Sequence, residues 1–186
     1  MRSEFERQVF HIFLGFVFIL MHLFLKREIF SIIMAFIIMG GLITIQIKMC
    51  YKIKIPYIDF FLRMFERPRV APGLGSLWYC AGVFVTGLLF YSFNKFFAVV
   101  LMLAVGDGLA TIFGIHGKHK LPWNKRKTFE GSFAFFAGSL TALIVYPFPI
   151  TFFVIIVSTV IESIDFKLDD NALIPLAAGA LYFLFK

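Results

Sequence analysis

Long apolar stretches separated by short polar breaks make up most of the 186 residues. The breaks predict seven helices, over residues 9–25, 29–47, 74–92, 95–114, 130–146, 148–164 and 170–185. Each approaches the roughly 20 residues that cover the hydrocarbon core of a bilayer. The fourth is expected to be interrupted by its glycines, the fifth to end at Tyr146-Pro147, and the seventh to carry Pro175 within it. No internal repeat or low-complexity tract competes with this pattern, so the expectation is an all-α, polytopic membrane helix bundle forming one domain over 1–186.

Composition sharpens that reading. Hydrophobic residues are 60% of the chain and aromatics 19%, with 27 Phe, and the mean hydropathy is +0.89. Soluble domains are about 45–50% apolar. No soluble domain of useful size is left over. A cleavable leader is not expected, because the first apolar run follows Glu4, Glu6 and Arg7, holds His11 and His22, and lacks a small-residue cleavage site. Cys50 and Cys80 make no CxxC and no metal spacing, and read as filler.

Charge supplies an orientation. Arg2 and Arg7, the basic residues of the 48–69 and 115–129 loops, and Lys167 fall on one side, leaving Lys26, Arg27, Lys95 and Lys186 on the other. The positive-inside rule then puts the N-terminus in the cytoplasm. Of 11 acidic residues, only Glu28 falls on the outer side. Acids and bases crowded on one face predict a polar site open to cytosolic solutes, and the net charge of +7 suits anionic lipid headgroups or a phosphorylated ligand. Within 48–69, Ile58, Phe61, Leu62 and Phe65 share one helical face, which fits an amphipathic helix lying in the interface or a positive loop that only anchors topology.

The chemistry concentrates in Gly106 to Ser132, GDGLATIFGIHGKHKLPWNKRKTFEGS. A charge within a membrane segment costs about 2.5–3.5 kcal/mol, so Asp107 is a functional-site candidate by default. Asp107 and Thr111 share a helix face, and Gly106, Gly108 and Gly114 permit close backbone approach or a break in the helix. A carboxylate so placed can take a divalent cation, and Mg²⁺ is usually held by one or two carboxylates plus substrate phosphates. The loop beyond supplies Lys118, Lys120, Lys125, Arg126 and Lys127 beside His116 and His119. Phosphoryl transfer needs positioning and charge stabilisation around a nucleotide tail, which a basic loop facing a metal can give. Thr128 can cap the next helix, with Glu130 at its positive end. There is no GxxxxGK[ST] loop, no protein-kinase signature, no HExxH and no GxSxG.

The 106–132 segment closely resembles the signature of the CTP-dependent lipid-alcohol kinases, the group of dolichol kinase, phytol kinase and CTP-dependent diacylglycerol kinase. Glu6-Arg7-Gln8-Val9-Phe10-His11 with Gly15, Glu66-Arg67-Pro68-Arg69 with Pro72-Gly73-Leu74-Gly75, and Asp169-Asp170-Asn171 with Pro175 resemble that family's opening, mid-chain and closing motifs. The chain departs from the pattern at Gln8, where the family carries Lys, and at Arg126 and Thr128, where its K-K-S-x-E-G carries Lys and Ser. The resemblance implies phosphorylation of a membrane lipid hydroxyl by CTP with Mg²⁺ or Mn²⁺. The lipid would be a polyprenol or dolichol, a phytol-like prenol, or diacylglycerol. It implies Asp107, Arg7 and His11 as catalytic residues, and Gly106, Gly108, Gly114, Lys118, Lys120, Lys127, Thr128 and Gly131 around the nucleotide. Asp107, Glu130 and Asp170 would hold the metal. The expected partners are the lipid alcohol and CTP, with no nucleic acid, in a multi-pass protein of the cytoplasmic membrane whose site faces the cytoplasm. A CTP:phosphatidate-type cytidylyltransferase is the rival enzyme, but DDNALIP stands where its G-H-G-G and D-R-x-D pattern would be sought. A non-catalytic lipid-binding or transport protein is the rival from another class.

Overall fold

The computed structural model describes residues 4–51, 73–166 and 168–185. The expected interfacial helix of 48–69 beyond Tyr51, the Glu66–Arg69 motif, Arg2 and Lys167 lie outside the described residues. Among the described residues seven helices follow one another: α1 (Glu4–Phe24), α2 (Arg27–Tyr51), α3 (Leu74–Leu89), α4 (Phe93–His116), α5 (Phe129–Ile144), α6 (Ile150–Ser163) and α7 (Asp170–Leu184). The only β pairing among the described residues is an isolated bridge between Lys120 and Thr128. By length and composition α1, α2 and α4 can cross a membrane, whereas α3, α5, α6 and α7 are apolar helices of 10–17 residues.

Burial decides which helix is central. In its most apolar window α4 is 61% buried, against 11% for α2. From Phe96 and Ala98 to Ala104, α4 is buried on every face, as expected of a helix that is apolar all round. α1 and α5 pack on its two flanks, α3 and α7 pack against each other, and α6 lies between α5 and α7. α2 leans on α3, burying only Phe30 and Met34.

The glycines of α4 do not break it. At Met102–Gly106 the helix widens into a π-turn, in which the Asp107 N–H reaches back to the Met102 carbonyl, and then resumes its α course. One wide turn keeps every backbone group paired while rotating the residues beyond it, and such bulges recur at functional sites. Glycine instead permits a tight crossing of α4 with α5. A Cβ on Gly131 would lie 3.0 Å from the Ala110 carbonyl oxygen and 3.0 Å from Gly114 Cα, and one on Gly138 would lie 3.3 Å from Gly106 Cα. This is small-residue packing of the kind that joins membrane helices.

Two of the four bases assigned to the outer side are helix caps. The Arg27 guanidinium donates to the Gly87 and Leu88 carbonyls at the end of α3, and Lys95 Nζ donates to the Tyr182 and Phe185 carbonyls at the end of α7. Cations there satisfy open carbonyls and suit the negative helix terminus. The caps also show that α3 and α7 end on the face where α2 and α4 begin.

Candidate functional site

At the opposite end of the bundle the starts of α1, α3, α5 and α7 meet the ends of α4 and α6 around a cavity of about 580 Å³. Arg7, Gln8 and His11 reach it from α1, and Asp107, Thr111 and Gly114 from α4. Lys120, Asn124, Arg126, Lys127 and Thr128 come from the loop between α4 and α5, Gly131 from α5, Glu162 from α6, and Asp169 to Asn171 from α7. The start of a helix carries partial positive charge and open N–H groups, so helices that begin at the cavity favour an anionic guest.

Asp107 stands on the wall between α1 and α4, with Oδ2 3.8 Å from His11 Nε2 and both side chains largely buried. The Tyr79 hydroxyl donates to the His11 carbonyl at 3.1 Å, and its ring centroid lies 4.0 Å from that of His11. Arg7 is drawn onto Glu4 one turn earlier, at 2.5 and 3.1 Å. The Gln8 side chain is 2% exposed, and its Oε1 has no hydrogen-bond partner among the described residues.

The facing wall is built on Lys127. Its ammonium lies 3.0 Å from Glu162 Oε1 and 3.0 Å from Asp170 Oδ2, and it also donates to the Glu162 carbonyl. Burial works against the charge, but the two carboxylates outweigh it and hold the Lys127 pKa above its ordinary value. Glu162 is itself buried and accepts from Ser132 Oγ at 3.0 Å. Removing one partner of a buried pair of this kind strands the other charge, which costs about 3–5 kcal/mol.

The loop Gly117–Thr128 is ordered rather than a loose basic strand. Leu121 N–H donates to the Lys127 carbonyl, and Phe129 N–H to that of His119. Leu121 and Asn124 are buried. Asn124 Nδ2 donates to the Ser163 carbonyl at 3.2 Å, and Trp123 Nε1 to Ser163 Oγ at 3.3 Å, tying the loop to the end of α6. Thr128 caps α5, its Oγ1 accepting from Gly131 N at 3.1 Å and donating to the Gly114 carbonyl at 3.4 Å.

The structure therefore brings together Arg7, His11, Asp107, Gly114, Lys120, Lys127, Thr128, Gly131 and Asp170. Four expected residues do not line the cavity. Gly106 and Gly108 sit at helix crossings, where a Cβ on Gly106 would lie 3.2 Å from the Phe135 ring and one on Gly108 2.9 Å from Ile12. Lys118 points to solvent. Glu130, expected as a metal ligand, turns back on the loop. Its carboxylate accepts from the Lys118 and His119 amides at 3.0 and 3.2 Å and meets His119 Nδ1 at 2.7 Å. The functional candidates that the sequence does not single out are Glu162, Asn124 and Tyr79, while Gln8 stands out only as a departure from the opening motif. A charge inside the apolar sixth helix is the signal available for Glu162; Asn124 and Tyr79 carry none.

Among the described residues no three His, Cys, Asp or Glu side chains converge on one point. Six of the described carboxylates face the cavity, those of Glu4, Asp107, Glu162, Asp165, Asp169 and Asp170. Spread over its walls, with Glu4, Asp165, Glu162 and Asp170 on basic partners, they do not cage a cation, but hard oxygen donors of this kind fit Mg²⁺ or Mn²⁺ shared with substrate phosphates.

Over 176 residues, 92% of this chain and 88% of the other, the sequence is 32% identical to the uncharacterized protein MJ1137 of Methanocaldococcus jannaschii. The chain belongs to the family of that archaeal protein. It is also 30% identical to the probable phytol kinase 3, chloroplastic, of Glycine max over 123 residues. That match takes in 56% of this chain and 39% of the plant protein, so the chain spans well under half of that relative's length. No protein-family model matches the chain, and no solved structure does. Three of the described helices are long and apolar enough to cross a membrane.

Proposed function

We propose that this protein is a membrane-embedded kinase that moves the γ-phosphoryl group of CTP to the hydroxyl of a membrane lipid alcohol. The observation that carries the reading is convergence. Segments more than 150 residues apart in the chain, from Arg7 to Asp170, line one cavity, and they are the segments that resemble the lipid-alcohol kinases. Similarity to a probable phytol kinase from Glycine max supports the same class.

In this reading all seven helices cross the bilayer, the N-terminus is cytoplasmic, and the cavity opens where CTP is available. Asp107 and Asp170 are the residues that would hold Mg²⁺ or Mn²⁺, whose chemistry there would be charge neutralisation on the phosphate oxygens. Lys120 and Lys127 face the same phosphates from the loop, and Glu162 keeps Lys127 charged and in place. Arg7 and His11 approach from α1, on the side of Asp107 where the lipid hydroxyl would attack. The bond from that oxygen to the γ-phosphorus forms as the bond to the β-phosphate oxygen breaks, CDP leaves, and the hydroxyl proton passes out to solvent through the open cavity. The work is positioning and electrostatics, which is what phosphoryl transfer asks of a protein.

Product analysis tests this against its rivals. Purified protein in mixed lipid with a lipid alcohol, CTP and Mg²⁺ should release CDP. Pyrophosphate in its place would identify a cytidylyltransferase, and lipid binding with no nucleotide consumed would identify a non-catalytic protein.

A further inference from the structure

The cavity has an apolar end that phosphate chemistry does not use. Along α1 its wall runs from Glu4 to Leu14, about 15 Å at 1.5 Å per residue. Arg7, Phe10 and Leu14 form one stripe of that wall, charged at the rim and apolar below. Opposite stand Ser76, Tyr79 and Cys80 of α3. Tyr79 closes the floor, its ring centroid 6.0 Å from that of Phe18 and its hydroxyl close under Gly15, where a Cβ would lie 2.8 Å away. The limb is therefore shallow. α1 and α3 meet where Tyr79 packs on His11 and Phe18, and the limb lies between the two helices on the cavity side of that contact.

Resting on the kinase reading, we infer that this limb is the acceptor subsite. It takes the hydroxyl-bearing end of an amphipathic alcohol between α1 and α3, with Leu14 and Cys80 against the first few carbons. The rest of the chain leaves the protein sideways. A cavity of about 580 Å³ that also receives a triphosphate tail has no room for a whole lipid, since that volume lies within the range that takes one ligand of drug size. The subsite reads the carbons next to the hydroxyl and is indifferent to chain length. Discrimination in an apolar pocket comes from methylenes held inside it.

Cys80 reports on the limb directly. In a Cys50→Ser protein it is the one remaining thiol, and N-ethylmaleimide should modify it. Geraniol and phytol, which share an allylic head and differ in length, should each slow that modification by about tenfold, while the hydrocarbon phytane should not. Protection by neither alcohol overturns the subsite, as does equal protection by the hydrocarbon. In the transfer assay, Cys80→Phe should raise KM for both alcohols by about tenfold and leave KM for CTP unchanged; an unchanged acceptor KM also overturns it. Wild-type protein that transfers no phosphate to any alcohol would defeat the kinase reading itself, and the protection result would still decide whether an alcohol occupies the limb.

Discussion

Asp107 and Glu130 both looked like metal ligands in the sequence, and their surroundings separate them. Asp107 faces the cavity, so Asp107→Asn, which keeps size and loses the anionic oxygen, should cut turnover by about a hundredfold or more while the protein still purifies folded. At 1.36 kcal/mol per tenfold that is about 2.7 kcal/mol of transition-state stabilisation; retention of more than about a third of the activity would make Asp107 structural. Glu130 accepts from two loop amides and a histidine. Glu130→Gln should therefore loosen the loop, raising KM for CTP several-fold and quickening proteolysis within 117–128, with turnover at saturating CTP kept within about threefold. A loss of turnover as large as that of Asp107→Asn would restore Glu130 to the metal. What made Asp107 and Thr128 legible is local: a carboxylate between glycines, and a hydroxyl three residues before the N–H it caps. Glu162 and Asn124 draw their meaning from partners about 35 to 40 residues away, Lys127 and Ser163, and spacing along one segment carries no such information.

At the scale of the elements, apolar run length fixed the seven helices to within a few residues at most ends, with α1 beginning earlier, at Glu4 instead of residue 9. At the α4 glycines the sequence admits a break or a close backbone approach, and the structure holds a form of each: a π-turn interrupts the α-helical course at Met102–Gly106 without ending the helix, and the glycines serve the crossing with α5. Sequence alone does not separate a glycine that breaks a helix from one that lets another helix come close, because both are the absence of a side chain. The distinction is testable at Gly131, also expected to contact nucleotide. A methyl there meets the α4 backbone at Ala110 and Gly114, so Gly131→Ala should destabilise the bundle by about 1–3 kcal/mol, the usual penalty of overpacking, seen as a lower thermal midpoint in detergent without nucleotide. An unchanged midpoint with a raised KM for CTP would show that Gly131 serves the ligand instead of the helix crossing.

For the whole molecule, the separation of the two ends carries the account. The cavity gathers the polar motifs at one end, and the Arg27 and Lys95 caps mark the other. With Cys50 and Cys80 replaced by Ser, a cysteine in place of Lys125, exposed on the cavity loop, should resist a membrane-impermeant thiol reagent in intact cells. One in place of Tyr91, 86% exposed at the opposite end, should react. Labelling at Lys125→Cys from outside would face the cavity away from cytosolic CTP. The distribution of bases predicts an orientation that this labelling would test, but it does not reveal their employment as caps, since a cap is defined by carbonyls about 60 and 90 residues further along the chain. The central claim, phosphoryl transfer from CTP to a lipid hydroxyl at this cavity, meets its most direct test in label transfer. Purified protein in mixed lipid is incubated with γ-labelled CTP, ATP or GTP and a panel of lipid alcohols, with Mg²⁺ or with EDTA, and the extracted lipid is counted and identified by mass. The account predicts a labelled lipid monophosphate formed fastest from CTP, abolished by EDTA and lost in Asp107→Asn; label that never enters the lipid from any nucleotide, or enters it equally well in EDTA, contradicts it.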